Sequence, residues 1–304
     1  MVPAHKYVWY NGSFKKFDDV KVHVFTHTLQ YGNGVFEGIR SYPTANGKVA
    51  VFRLREHIDR FLNGAKVLHM RIPFTRQQLM DAVADTVKKN NAKHSYIRPL
   101  AYYETFGISL HVADEKPSVS ITTMEFGEYI KGKERGLRCM VSSWRKVDSS
   151  MLTPLVKATG NYLSSVLALS DAKAAGYDEV ILLSEDGHVD EGSGENIFLV
   201  ENGKLVTPAK DANMLFGITR DSIIKIAESI GLEVEQRPVH REELVMADEV
   251  FLTGTAAEVT PVVSINGTGV GNGKIGPITK MVNDRYMRIV TGQDEEFKHW
   301  LTYV

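Results

Sequence analysis

The stretch VDEGSGENIFLV, residues 189–200, sets Asp190, Glu191 and Glu195 among glycines directly ahead of an apolar run. That run, ENIFLVE, has the branched and aromatic content of a buried strand and no proline. Glycines ahead of it would let a flat ligand approach the backbone, because no Cβ stands in the way. A solvated turn is the plain alternative for the three acids. Outward from this point, DEVILLS and KLVTP read as flanking strands, reached through Asp186-Gly187 and Asn202-Gly203, both good turn pairs. Thr219 to Ile230 is predicted as a helix closed by Gly231, and DEVFLTG as the next strand. A glycine-rich turn region and a last helix from about Pro277 follow. On the other side, GLRCMVSSW opens the strand-rich region, and a helix is predicted from about Asn161 to Ala175.

The polar, glycine-punctuated GEYIKGKERG, residues 127–136, reads as a link between two parts. Ahead of it, Asn11-Gly12 and Asn46-Gly47 separate short strand-like runs and accept the positive φ of hairpin turns. A helix over Arg55–His69 follows, with Leu54, Ile58, Phe61, Leu62, Ala65 and Leu68 on one face. Thr75–Asn91 is a second amphipathic helix, and HSYIRPLAYYE a returning strand. The expected architecture is α+β in two parts: a smaller one over 1–126, the linker 127–136, and a larger one over 137–304 with a mixed, barrel-like sheet.

Composition bounds the function. With 43% hydrophobic and 24% charged residues in 304, a globular core is expected. The 36 basic and 37 acidic side chains nearly cancel, which excludes a broad field for nucleic acid or an anionic membrane surface. The one cysteine, Cys139, can form no internal disulfide, so a reducing, cytoplasmic setting is expected. Neither a secretory h-region nor an apolar run of membrane-spanning length is visible.

Three segments carry candidate chemistry. In LVKATGNYLSS, residues 155–165, Lys157 lies among apolar and small residues ahead of a helix. Desolvation there would lower its pKa and free the amine as a nucleophile or base. A snorkelling surface lysine is the alternative. In LFGITRDS, Gly217 precedes a helix beginning near Thr219, whose hydroxyl can cap free amides and whose N-terminus suits a phosphate. In FLTGTAAEVTP, Gly254, Thr255 and Ala256 follow a strand and suit a backbone nest for an anion.

The motifs KATGNYLSS, EGSGENIFLV, LFGITRD and TGTAAEVTPV, in this order, resemble those of branched-chain amino acid aminotransferases in the class IV (fold type IV) pyridoxal-phosphate family. The upstream YGNGVFEGIRSY and EHIDRFLNGAKVL fit as well, so the resemblance runs from about Tyr7 to Trp300. It implies a fold type IV enzyme with pyridoxal 5'-phosphate as cofactor. Lys157 resembles the Schiff-base lysine, and Glu191 the carboxylate facing the protonated pyridine nitrogen. Tyr162 would bond the phenolic oxygen, and Leu215 would pack on the ring. Arg60, Ile218, Thr219 and Thr255, with Gly254, would surround the phosphate. For Arg60 periodicity points elsewhere: it lies roughly 130° from the centre of the apolar face at about 100° per residue, where a solvated arginine is expected.

For the substrate, the resemblance implies that Tyr96 and the amides of Thr255 and Ala256 hold the α-carboxylate. Arg98 would take the γ-carboxylate of glutamate, and Tyr31, Phe36 and Tyr129 would line an apolar side-chain pocket. Implied partners are small amino acids and 2-oxo acids, together with a second copy of the chain in a homodimer or larger assembly. The branch acting on D-amino acids carries an R-x-H carboxylate trap, whereas this chain reads Arg98-Pro99-Leu100. An (R)-amine transaminase, an aminodeoxychorismate lyase and a non-catalytic scaffold are further alternatives. Departures from the pattern are Gln30, where a histidine usually precedes the Tyr-Gly pair, Phe126 where tryptophan is common, and the 105–115 loop. GNGKIG, residues 271–276, follows no convincing strand and reads as a turn rather than a dinucleotide site. His23 and His27 lack the partners a metal site needs, and Cys139 reads as a buried structural thiol.

Overall fold

The computed structural model describes residues 4–112, 114–127 and 132–304. They form two units, and the expected linker at 127–136 includes residues 128–131, which lie outside the described residues. One unit holds the chain through Gly127 together with Val156–Gly160 and Arg288–Val304; the other runs through Leu155 and over Asn161–Met287. Lys157, with the rest of Val156–Gly160, therefore belongs with the N-terminal portion and not with the stretches on either side of that segment.

In the first unit, β1 (Tyr7–Tyr10) and β2 (Ser13–Lys16) form a hairpin in which Tyr10 pairs with Ser13. Asn11 and Gly12 make its turn with φ of 47° and 92°, the positive pair that matches strand twist. Next come α1 (His27–Tyr31), β3 (Val35–Phe36), β4 (Ile39–Pro43) and β5 (Val49–Phe52). Here Asn46-Gly47 sits in a longer loop, since Pro43 pairs with Val49. Two helices follow, α2 (Leu54–Val67) and α3 (Arg76–Asn90), the second closed at its start by a Thr75–Gln78 capping box and at its end by Asn91 in the left-handed region. Strands β6 (Ser95–Tyr102) and β7 (Ser118–Glu125) complete the segment. Across the sheet the order is Leu301–Tyr303, β5, β4, β6, β7, β1, β2, with β3 on β6. The predicted apolar stripe of α2 packs into this unit: Leu54, Ile58, Phe61 and Ala65 are buried with Ile39, Val51 and Ile97.

The second unit contains β8 (Leu137–Arg145), α4 (Leu163–Ala174), β9 (Glu179–Leu183), β10 (Val189–Gly192), β11 (Asn196–Glu201) and β12 (Lys204–Thr207). It continues through α5 (Ile218–Ser229), β13 (Val234–Gln236), α6 (Glu243–Met246), β14 (Glu249–Gly254), β15 (Glu258–Ile265) and β16 (Thr268–Gly269). The sheet order is β10-β9-β8-β15-β14-β11-β12-β13. It is mixed, as expected: β8 runs parallel to β9 and β15, while β14 is antiparallel to β11 and β15. The last helix, α7, spans Pro277–Val290.

Two expectations need correction. The residues after DEVFLTG form β15, a strand between β14 and β8, before the glycine-rich turns begin. Pro261 inside EVTPVVSI hid it, because a proline cannot donate to a ladder and argues against a central strand. Asp190 and Glu191 lie in β10 and not in a turn. Val189 pairs with Leu183 and Glu191 with Leu182, so Asp190 is the extra residue of a β-bulge. The bulge breaks the alternation and turns Glu191 away from the face on which Val189 enters the core. GNGKIG forms no regular element, in keeping with a turn, and among the described residues no helix is long and apolar enough to cross a membrane.

Candidate active site

In the first unit the segment carrying Lys157 is sewn to the run 32–36. The Phe36 amide donates to the Lys157 carbonyl (3.1 Å), and the Thr159 and Gly160 amides donate to the carbonyls of Gly34 and Gly32 (both 2.9 Å). The Thr159 hydroxyl bonds Gly32 O at 2.7 Å. A Cβ at Gly32 would meet Gly160 Cα at 3.0 Å, so this approach requires glycine. Two of the motifs singled out above, YGNGVFEG and KATG, thus share one backbone interface. The Lys157 Nζ lies 5.0 Å from the centroid of the Phe36 ring. Burial, followed by the Arg60 guanidinium, lowers its pKa to about 8, against the opposing pull of Tyr96 and Glu37. At neutral pH such an amine is deprotonated about a tenth of the time, far more than an exposed lysine.

Register places the neighbours. Tyr96 and Arg98 stand two apart on β6 and face the same side, with Arg40 of β4 opposite Tyr96. Arg98 donates from Nη2 to the Tyr96 hydroxyl at 2.9 Å and stacks over the Phe36 ring at 4.5 Å. Gly38 makes room: a Cβ there would lie 2.0 Å from the Tyr96 hydroxyl. Lys157, Phe36, Tyr96 and Arg98 therefore form one cluster. Arg60 is not the solvated arginine its helical angle suggested. Its side chain is 17% exposed and holds the buried Glu37 carboxylate from Nε and Nη2 at 2.6 and 2.9 Å. Tyr31, at the end of α1, is exposed, and its hydroxyl reaches the Ile108 carbonyl at 3.4 Å.

In the second unit Glu191 is buried at the bulge. Lys146, at the exit of β8, pairs with its Oε1. Oε2 accepts from the Asn196 amide and from the Leu215 N–H, both at 3.2 Å. Asn196 also donates to the Leu215 carbonyl at 2.9 Å, and a Cβ at Gly217 would strike its Oδ1. Burial alone would lower the Lys146 pKa, but the charge of Glu191 outweighs it and raises the value. The same ammonium feels Tyr162, so Tyr162, Lys146 and Glu191 are neighbours. Asp190 is pushed up to about 7, first by burial, then by the Glu191 charge, against its bond from the Asn213 amide.

The two segments expected to offer backbone amides form a helix start and a hairpin turn. Helix α5 starts at Ile218, one residue earlier than predicted, with Gly217 as its N-cap and no side-chain cap, so no Thr219 hydroxyl performs that task. The N–H groups of Ile218, Thr219 and Arg220 have no acceptor within the helix. Thr255–Ala257 form the turn between β14 and β15, where Gly254 pairs with Glu258. Glu258 takes a φ of 58° and is tied to Lys133 at 2.9 Å. This is a three-residue hairpin loop whose closing residue, Glu258, is left-handed.

Tyr129 lies outside the described residues. Lys146, Asn196, Glu37 and His57 were not singled out in the sequence. A lysine just past an alternating strand reads as an edge residue, and nothing local marks Lys146. Glu37 did leave a signal, being one acid inside the otherwise buried run VFEGIRSY. Cys139 is fully buried in β8 and its thiol is pushed up by burial, as a structural thiol would be.

Comparison with known proteins follows the same lines. The sequence model of the amino-transferase class IV family matches residues 34–265. The branched-chain-amino-acid aminotransferase of Escherichia coli (strain K12) is 42% identical over 301 residues, 98% of this chain and 97% of that protein. The crystal structure of the branched-chain aminotransferase of Thermoproteus uzoniensis with norvaline superposes with a TM-score of 0.94 at 43% identity, covering 99% of each chain. That of the T.th. branched-chain amino acid aminotransferase, complexed with N-(5'-phosphopyridoxyl)-L-glutamate, gives a TM-score of 0.94 at 42% identity, covering 100% of this chain and 99% of that one.

Proposed function

This chain belongs to the class IV aminotransferases, and we propose that it moves the amino group of L-leucine, L-isoleucine or L-valine to 2-oxoglutarate and back, with pyridoxal 5'-phosphate as cofactor. The observation that carries the reading is Lys157, a desolvated amine with a pKa near 8 beside Arg60, Tyr96 and Arg98. The residues present fit the cofactor. Lys157 would bond its aldehyde carbon, Glu191 would face its ring nitrogen, Tyr162 its phenolic oxygen, and Leu215 its ring. Arg60 and the amides at Ile218, Thr219 and Thr255, next to Gly254, would hold its phosphate. When bound, the cofactor supplies a conjugated, electron-withdrawing ring that takes up the electron pair left by a departing α-proton.

The chain's own residues do the rest. The Lys157 amine, when not bonded to the cofactor, would take the proton from the substrate Cα. The lowered pKa keeps a usable fraction of the amine neutral at physiological pH. Glu191, held by Lys146, Asn196 and the Leu215 amide, would present its carboxylate to the ring nitrogen. Tyr96 and the Thr255 and Ala256 amides would orient the α-carboxylate, and Arg98 would receive the γ-carboxylate of glutamate. Phe36 and Tyr31 would face the aliphatic side chain. A pocket of this kind separates aliphatic substrates by only about 1–3 kcal/mol per methylene, so all three branched amino acids should react.

A homodimer or larger assembly fits the exposed apolar side chains, Phe25, Leu29, Phe106 and Ile108 in one unit and Leu163 and Val166 in the other. A cytoplasmic setting fits a single, buried, reduced cysteine. Borohydride reduction of the loaded chain should leave a stable adduct on Lys157, and mass spectrometry finding it on another residue would refute the assignment. In single half-reactions, L-leucine, L-isoleucine and L-valine should bleach the bound chromophore faster than D-alanine; the reverse order would favour the D-specific branch.

A further inference from the structure

Glu37 is fully buried and every part of its carboxylate is engaged. Oε1 accepts from Arg60 Nε at 2.6 Å; Oε2 accepts from Arg60 Nη2 at 2.9 Å, from the Gly38 amide at 3.2 Å and, at 2.8 Å, from His57 Nδ1. The Glu37 backbone is itself fixed, its amide donating to the Pro99 carbonyl at 2.9 Å. Burial alone would push this acid up, but the Arg60 guanidinium and His57 hold it well below the usual carboxylate range. His57 is buried behind it, and its own pKa is lowered chiefly by desolvation, so it serves as a neutral donor that fixes Oε2.

Arg60 has a long, flexible stem and leaves α2 well off the apolar stripe, so the helix by itself does not set where its guanidinium points. A two-point carboxylate contact does, because it fixes the plane of the guanidinium as well as its place. The pair also lies within electrostatic reach of the Lys157 amine, whose proton affinity Arg60 lowers and Glu37 raises. From this geometry we propose that Glu37, backed by His57, is the positioning residue that aims Arg60 at the phosphate of the cofactor. The proposal rests on the cofactor reading above and deepens it. Glu37 stands behind Arg60 and acts on the phosphate only through it. Its carboxylate offsets one positive charge, so the amine beside the pair is not driven to a still lower pKa.

The test compares two probes on the full chain stripped of cofactor by dialysis: pyridoxal 5'-phosphate, and pyridoxal, which lacks the phosphate. The ratio of their dissociation constants isolates phosphate recognition from folding and from bond formation at Lys157. Glu37→Gln should reduce the preference for the phosphorylated probe by about 10- to 100-fold, the range of a lost charge-assisted contact, and leave pyridoxal binding nearly unchanged. Arg60→Gln should reduce it at least as much, and adding Glu37→Gln to that variant should change nothing further. His57→Gln, which removes only the contact behind Glu37, should give a smaller loss in the same direction and covers the case in which Glu37→Gln does not fold. A Glu37→Gln protein that keeps the full preference, weakens both probes equally, or adds its whole effect to Arg60→Gln overturns the proposal. A wild-type chain without any preference for the phosphorylated probe would remove the cofactor reading itself.

Discussion

Replacing Lys157 by methionine should make the cofactor-free chain more stable, by an amount that depends on pH. The folded amine titrates at about 8 against an ordinary 10.5. At about 1.4 kcal/mol per unit, that gap means the folded state disfavours the ammonium by up to about 3 kcal/mol. The sign follows from linkage: below pH 8 the amine is charged in both states and the whole cost falls on the folded one. Between pH 8 and 10.5 the folded chain binds fewer protons than the unfolded one, so wild-type stability rises until the cost is gone. Methionine matches the length of the aliphatic stem and carries no charge, so packing against Phe36 is largely kept. Urea unfolding followed by fluorescence and circular dichroism should place the Lys157→Met midpoint about 1 M above wild type at neutral pH, for a slope of roughly 3 kcal/mol per molar. The difference should shrink as the pH approaches 10. A variant that is less stable, or whose advantage is constant across pH, would refute a desolvated amine at this position.

Glu191→Gln should leave the cofactor bound yet slow the half-reaction about 100-fold or more, measured by single-turnover absorbance, since a neutral amide no longer favours a protonated ring nitrogen; an unchanged rate removes its role. Gly38→Ala puts a methyl group where the Tyr96 hydroxyl now lies, 2.0 Å from the new Cβ. Its kcat/KM for branched amino acids should fall by about 100-fold with the circular dichroism spectrum unchanged, and normal kinetics would detach Tyr96 from substrate binding. Asp190 titrates near 7 when folded against an ordinary 3.8, so its cost to stability is absent in acid, grows as pH rises between these values and is constant above. Asp190→Asn should therefore raise the urea midpoint at pH 8, by about 2–4 kcal/mol in stability, and leave it unmoved near pH 4. A gain of equal size at both would exclude titration as its cause.

Much of the fold was legible because it is locally encoded. The Asn11-Gly12 turn, the helix opening at Thr75, the Gly231 terminus and the apolar stripe of α2 each depend on residues within a few positions of one another, and each stands where it was expected. Lys157 and Glu191 could be chosen as candidates from composition alone. What composition left open was their surroundings, and there the plain alternatives of a snorkelling lysine and a turn acid give way to a desolvated amine and a strand carboxylate. Strand β7 escaped because it pairs with β6 only across a long connection, and β15, though joined to β14 by a short hairpin, because the local evidence of Pro261 pointed the other way.

The sequence by itself determined the order of elements, the glycines that permit close backbone approach, and the identity of the chemical groups, since these are properties of short stretches of chain. Only the tertiary structure decided which charges meet. Glu37, between β3 and β4, finds Arg60 on α2, Lys146 reaches Glu191 from the exit of β8, and the Lys157 segment is tied to the run ending at Phe36. Those encounters join residues far apart in the chain, and the burial that shifts a pKa exists only after they have been made.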